Sequence, residues 1–518
     1  MTSTDTLQNA IDQDFGLIAD LIRIHAIERP ESLALRDSEC TLTYDSLNEL
    51  MDRVASALQR EGLGTGDAIA ICAASSVNYA TVFLGALRAG VAVAPLAPGS
   101  TPESLARMQR DAQARLLFAD VTTADVIGSP EGSGIPRIAL DGSGIGRAFD
   151  DWLAPVGSTP DAVALAPPSP FNIIYSSGTT GEPKGIVQGH GMRWSHVKRG
   201  ARYEYGPATV TLLSTPLYSN TTLVVFFPTI AFGGQVILMP KFDVTGYLRL
   251  ADANRVTHTM LVPVQYQRLM ASPAFDTHDL SSFQYKFSTS APFGASLKAD
   301  VLKRWPGGLV EFYGMTEGGG TCILEAHLHP DKLHTVGRPA EGSDIRLIDD
   351  AGLEVAHGGD GEVVGSSAGM MVGYHRQPEK TREAEWFAPD GKRFIRTGDV
   401  GRFDADGFLT LFDRKKDMII SGGFNIYPSD LEAVLRGHPA VADVTVVGVP
   451  SELWGETPVG YVVRREGDAT DPAELLAWTN AQVGKTQRLA SVQLIDELPR
   501  SAIGKVLKRE LRERHGRS

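Results

Sequence analysis

The chain has 518 residues, 42% apolar and 21% charged, with 54 glycines and 30 prolines; this composition fits a globular protein of about two to four domains and excludes a low-complexity chain. Lys and Arg number 49 against 62 Asp and Glu, a net charge of −13, which argues against a nucleic-acid binder but leaves room for small anions at local positive charge. Cys40, Cys72 and Cys322 lie far apart without a CxxC pair, which disfavours a disulfide framework or a zinc or iron–sulfur site.

Residues Met1 to Phe15 carry acids and no basic-then-apolar leader pattern, so a cytoplasmic protein is expected. Leu47, Leu50, Met51, Val54 and Leu58 follow helical spacing, with Gly62 as the stop. A turn at Gly64–Asp67 leads into the strand-like run Ala68–Ala73, a second helix at Asn78–Ala89 and a run at Val91–Leu96. That order is a βαβ unit and predicts parallel sheet flanked by helices. Further strand-like runs fall at Arg115–Phe118, Phe171–Tyr175, Gln235–Met239, His258–Val262 and Leu309–Tyr313. Between them Leu223–Met239 is the most apolar stretch. Pro228, Thr229, Gly233, Gly234 and Gln235 interrupt it, short of the ~18–20 residues that span a bilayer. It reads as a buried core segment.

After about Gly337 the pattern changes to short strands, Asp344–Ile348, Gly361–Val364 and Phe408–Phe412, between Gly- and Asp-rich turns. Beyond Asp413–Asp417, a charged linker, a small α+β region follows, with a helix near Ser429–Arg436, strands at Val444–Val449 and Gly460–Arg464, and a basic helical tail. The fold class is α/β, a large N-terminal domain over 1–413 with a β-rich subdomain at about 338–413, and a C-terminal domain over 417–518.

Tyr175-Ser-Ser-Gly-Thr-Thr-Gly-Glu-Pro-Lys-Gly185 follows an apolar run. Its glycines admit close approach of backbone N–H groups to a phosphate, its hydroxyls add donors and Lys184 adds charge. The spacing differs from a Walker A loop. Taken in fragments, it reads equally as an ordinary Ser/Gly/Thr turn. As a whole it resembles the phosphate-binding signature of the acyl-adenylate-forming (AMP-binding) superfamily, which holds acyl-CoA synthetases, peptide-synthetase adenylation domains and luciferases. Tyr313-Gly-Met-Thr-Glu317, Thr397-Gly-Asp399, Asp413-Arg-Lys-Lys-Asp417, Ser421-Gly-Gly-Phe-Asn-Ile-Tyr-Pro428 and Pro499-Arg-Ser-Ala-Ile-Gly-Lys505 resemble further family motifs in the family's order, over roughly residues 15–512.

The resemblance implies two half-reactions. A carboxylate attacks the α-phosphorus of ATP to give acyl-AMP and pyrophosphate, and the thiol of coenzyme A then displaces AMP. It implies catalytic roles for Lys505, Thr316 and Glu317, the last also holding Mg²⁺. It places nucleotide on Ser176, Ser177, Gly178, Thr179, Thr180, Gly181, Lys184, Ser290, Ala291, Pro292, Glu311, Tyr313, Gly314, Met315, Asp399 and Arg414. Residues 414–416 are the implied hinge, centred on Lys416, which swings a mobile C-terminal domain. Gly422, Gly423 and Phe424 line the implied coenzyme A channel.

Two departures bear on the acid. Ser219 in Pro216–Asn220 stands where many relatives have His, and Ser288–Pro292 departs from the more usual Gly-Gly-Ala-Pro. An acyl pocket of Tyr218, Ser219, Asn220, Ser288, Met315 and Gly318 offers no counter-charge for a second carboxylate, so an uncharged aryl or medium-chain acid is expected. The expected partners are that acid, ATP and coenzyme A, with neither nucleic acid nor a membrane span. No carrier or reductase module follows Lys505, which favours free coenzyme A. A carrier-protein pantetheine stays open as acceptor, as does a non-catalytic nucleotide or acyl-CoA sensor.

Overall fold

Helix Tyr44–Arg60 forms where the sequence periodicity places it. Thr43 caps it, accepting from Ser46 N while the Ser46 hydroxyl accepts from Thr43 N. Leu47, Met51, Val54 and Leu58 are buried on one face, and the chain turns out of the helix where Gly62 takes φ +74°. The computed structural model describes residues 3–127, 134–176, 184–414, 417–421, 424–501 and 504–515.

The chain divides into two compact units: Met1–His334 with Pro339–Asp344 and Gly365–Ile395, and Thr335–Arg338 with Ile345–Val364 and Arg396–Ser518. Much of the β-rich piece therefore packs with the C-terminal region.

In the first unit, Ala114–Ala119, Ala68–Cys72, Ala92–Pro95 and Pro170–Ser176 lie side by side and parallel. Helix Val77–Arg88 makes the expected crossover and is buried along its length. The fully buried Ala68–Cys72 strand is what a parallel sheet covered on both faces requires. A second sheet runs Gln235–Leu238, Val210–Leu213, His258–Leu261, Tyr285–Ser288 and Gly308–Met315, again parallel. The apolar stretch from Leu223 becomes the end of helix Asn220–Ala231 and the Gln235–Leu238 strand. Among the described residues no helix is long and apolar enough to cross a membrane.

Both parallel runs end in an antiparallel hairpin. Pro170–Ser176 pairs with Lys184–Gly189, a strand not expected from sequence, and Gly308–Met315 pairs with Gly318–Glu325. An antiparallel pair needs only a short connection, and the two connections carry the glycine-rich string and the Thr316-Glu317 turn.

In the second unit, Val441–Ser451 and Gly455–Arg464 form a long hairpin, joined by Ile419–Ser421 antiparallel and Ser491–Leu494 parallel. Strand alternation divides the valines between two faces. Val444, Val446 and Val462 meet Leu431, Leu435 and Leu475 of the two covering helices. Val447, Val449 and Val459 meet Leu511 of the basic tail helix. The strand expected at Phe408–Phe412 runs instead over Leu409–Arg414, taking in Asp413 and Arg414 of the expected linker.

Candidate active site

The stem of the glycine-rich string is paired up to Ser176↔Lys184. Ser177, Gly178, Thr179, Thr180 and Gly181 lie outside the described residues, as does the side chain of Ser176. At the stem, the Tyr175 hydroxyl donates to Asp111 Oδ2 at 2.7 Å. His375 donates its backbone N–H to Gly185 O at 2.6 Å, and its Nδ1 lies 3.8 Å from Asp111 Oδ2. Burial opposes ionisation of Asp111, but the nearby His375 imidazole and the hydrogen bond from Tyr175 prevail and hold its pKa below the ordinary carboxylate value. Gly185 is tightly packed here, since a Cβ would stand 2.9 Å from Ile173 Cγ2 and 3.0 Å from Asp111 Oδ2 and those side chains would have to shift.

Lys184 leaves this stem with its Nζ 5.2 Å from the centroid of the Tyr374 ring, a cation–π distance. The Tyr374 hydroxyl donates to Glu317 Oε1 at 2.9 Å, and Met371 N–H donates to Glu317 O at 2.8 Å. One short segment thus holds Glu317 by side chain and backbone and carries the ring over which Lys184 lies. Tyr374 is buried beside an acid, and burial first, then the Glu317 charge, raises its pKa far above a free phenol. Thr316 is held from the other hairpin, since Gln188 Nε2 donates to Thr316 O at 2.7 Å. Next to it Gly318 has φ +83°, and a Cβ there would lie 1.9 Å from Gly369 O. Met315 packs against Ile186, Met371, Tyr374 and Ile395.

Mg²⁺ was expected on Glu317. Tyr374 engages one carboxylate oxygen, and the other has no hydrogen-bond partner among the described residues. No cluster of three His, Cys, Asp or Glu suited to a metal occurs among the described residues. This donor set fits an ion held by one carboxylate together with phosphate oxygens.

Ser290 takes φ +80°, a conformation that costs a non-glycine residue energy, and its hydroxyl bonds that of Thr221 at 2.5 Å. Ala291 is half-buried, while Pro292 and Gly314 are exposed. Ser288 is fully buried, and its hydroxyl has no hydrogen-bond partner among the described residues. Tyr218 is half-buried, its pKa pushed up to about 12 by burial and then by Cys72. Ser219 is the N-cap of helix Asn220–Ala231, accepting from Thr221 N. Asn220 opens that helix with its Oδ1 3.5 Å from Gln188 Nε2. Tyr313 pairs with Cys322 across the second hairpin. Glu311 lies in a buried ion pair, 2.5 Å from Lys298 Nζ; burial raises its pKa although Lys298 opposes this.

In the second unit, the Thr397 hydroxyl donates to Val363 O at 2.8 Å and accepts from Asp399 N at 3.0 Å. Gly398 turns between them at φ +72°. Asp399 and Arg414 are register partners on paired strands, so two residues of the expected nucleotide site are neighbours. The Arg414 and Phe424 side chains lie outside the described residues, as do Lys416, Gly422 and Gly423. Lys505 sits in a tight turn closed by Ser501 N–H to Lys505 O and Gly504 N–H to Ser501 O, both 2.8 Å. Arg500 ties this turn to the long hairpin, donating to Gly504 O and to Asp443 Oδ2, each at 2.6 Å.

Sequence reasoning missed Tyr374, Asp111, Gln188, Arg500 and Lys298. Gln188 lies on the Lys184–Gly189 strand, which the sequence did not suggest. The others meet their partners through contacts that no local pattern records.

A family model described as "AMP-binding enzyme" matches residues 22–375, and one described as "AMP-binding enzyme C-terminal domain" matches residues 430–505. A feruloyl-CoA synthase from Amycolatopsis sp is 33% identical over 94% of this chain and 96% of its own length. The fatty acid–[acyl-carrier-protein] ligase ScoC of Streptomyces coeruleorubidus is 30% identical, over 95% of each chain. The solved structure of ATP-bound MatB from Rhodopseudomonas palustris superposes with a TM-score of 0.86 at 30% identity, covering 96% of this chain and 99% of the other.

Proposed function

The chain belongs to the AMP-binding enzyme family, among its AMP-forming acid–thiol ligases, and on that premise we propose that it joins an uncharged aryl or medium-chain carboxylic acid to coenzyme A at the expense of ATP. The observation that carries this reading is the clamp of Lys184, Tyr374 and Glu317 beside Thr316. It gathers a cation, a carboxylate and a hydroxyl residue next to the glycine-rich string.

In the first half-reaction an anion approaches a polyanion, so positioning and charge neutralisation govern the rate. The substrate carboxylate oxygen forms a bond to the α-phosphorus while the bond to the bridging oxygen breaks and pyrophosphate leaves. Lys184 and the string hold the outer phosphates, Thr316 donates to the α-phosphate, Asp399 accepts from the ribose hydroxyls, and Arg414 donates to a ribose oxygen. Glu317 would hold Mg²⁺, which would offset part of the phosphate charge. Lys505 neutralises the incoming carboxylate and the α-phosphate together. In the second half-reaction the thiol sulfur bonds the acyl carbon and AMP departs. Rotation at 414–416 exchanges Lys505 for the Gly422-Gly423-Phe424 segment between the two steps.

The neutral acid is supported by the acyl residues themselves: none of Tyr218, Ser219, Asn220, Ser288, Met315 or Gly318 is an acid or a base, and the Ser219 hydroxyl is engaged in the helix cap. The likeness to ScoC supports a second reading, a carrier-protein pantetheine as the acceptor.

Carboxylate-dependent ATP–pyrophosphate exchange over a panel of aryl, medium-chain and dicarboxylic acids, repeated with coenzyme A or a carrier protein, tests both readings. Exchange confined to dicarboxylic acids overturns the substrate class, and nucleotide binding without exchange favours a sensor. Lys505→Ala should lower adenylation by about 10²–10³-fold while sparing thioester formation from supplied acyl-adenylate. Equal loss of both half-reactions removes the role given to Lys505.

A further inference from the structure

Arg193 on helix His190–Gly200 is fully buried and forms no ion pair among the described residues. Its Nε and Nη2 donate to Asn172 Oδ1 at 3.2 and 3.0 Å. Its Nη2 also donates to Gln188 Oε1, and its Nη1 lies 3.4 Å from His196 Nδ1. The guanidinium carbon lies 5.7 and 5.6 Å from the ring centroids of Phe171 and Phe227. A buried cation without an anion is costly, and here neutral acceptors and aromatic faces surround it. Burial lowers its pKa to about 9.

Arginine can only donate, and this fixes both amides. Asn172 and Gln188 must each turn an oxygen toward Arg193, so Asn172 Nδ2 donates to Gln188 Oε1 at 3.0 Å. Gln188 is left to present its NH₂ outward, and Nε2 meets Thr316 O at 2.7 Å. Gln188 lies on the strand that leaves the glycine-rich string, whereas Thr316 lies in the turn of the other sheet's hairpin.

We propose that Gln188, oriented by Arg193, is a positioning residue for adenylation: it braces the two hairpins and fixes the Thr316-Glu317 turn against the Lys184–Gly189 strand. This rests on the ligase reading above. A merely structural role would need only that Arg193 be satisfied, and one substitution separates the two. Gln188→Glu supplies the missing anion to Arg193 but puts a carboxylate oxygen against the Thr316 carbonyl, and neither of those two oxygens can donate to the other.

The test measures melting temperature and the kinetics of carboxylate-dependent ATP–pyrophosphate exchange. Gln188→Glu should melt no lower than the wild type and lose about tenfold in kcat, the scale of one hydrogen bond. Wild-type kinetics in Gln188→Glu overturn the inference. If that variant does not fold, Gln188→Met decides: lost turnover at an unchanged melting temperature supports the brace, and full turnover, or unfolding of both variants, overturns it. The wild-type protein run alongside separates the two levels. No exchange in it removes the ligase reading and the brace together, whereas an active wild type beside an equally active Gln188→Glu removes the brace alone.

Discussion

Gly318 shows how one residue's lack of a side chain shapes the site. Its φ of +83° and the Gly369 carbonyl 1.9 Å from where a Cβ would stand leave no space for alanine, and that carbonyl is backbone rather than a flexible side-chain tip that yields cheaply. Gly318→Ala should therefore cost at least about 1–3 kcal/mol from strain and overpacking. It should also displace Glu317, one residue back, so denaturant midpoint and adenylation rate fall together; a variant unchanged in both would contradict this packing. The residue types of the turn could be read from the sequence, because Tyr-Gly-Met-Thr-Glu is a local string. The reason Gly318 must be glycine could not, since the carbonyl it touches lies on the far segment 365–395.

At the level of elements, function depends on how each turn is fastened to the element beneath it. The Lys505 turn is closed by its own backbone, but its attachment to the Val441–Ser451 strand runs through Arg500 and Asp443. Arg500→Gln keeps a polar side chain while loosening that tie. We expect adenylation, the half-reaction that needs Lys505 at one place, to slow severalfold. Thioester formation from supplied acyl-adenylate should stay within twofold of wild type. Measuring the two half-reactions separately checks this, and parallel losses would mean that Arg500 serves the fold alone. Ser219 makes the complementary point. From sequence it was a departure beside the acyl pocket, and in the structure it is the N-cap of Asn220–Ala231, a role for which serine is well suited.

Across the whole molecule, buried histidines couple the fold to pH. Burial, aided by Arg29, lowers the pKa of His25 to about 4 despite its bond to Ala231 O. Arg29 can only donate, so His25 Nδ1 accepts from it and Nε2 donates to Ala231 O, each at 2.8 Å. Burial likewise lowers His190 and His258 to about 4. Between about pH 6.5 and 4 the unfolded chain binds the protons these imidazoles refuse. Their contribution is complete above that window and is lost as pH falls through it. Melting temperature should decline across the window, less steeply in His25→Gln, and a flat profile would contradict the burial seen here. The sequence by itself determined the alternation of strands and helices, the turn glycines and the chemical make-up of each loop, because periodicity and loop composition are local properties of the chain. Only the tertiary structure decided which polar groups meet: Tyr374 with Glu317, Gln188 with Thr316, Arg500 with Asp443, pairs separated by 57, 128 and 57 positions. Such pairings follow from how sheets and segments pack side by side, and a hydrogen bond between distant residues leaves no periodic trace in either segment.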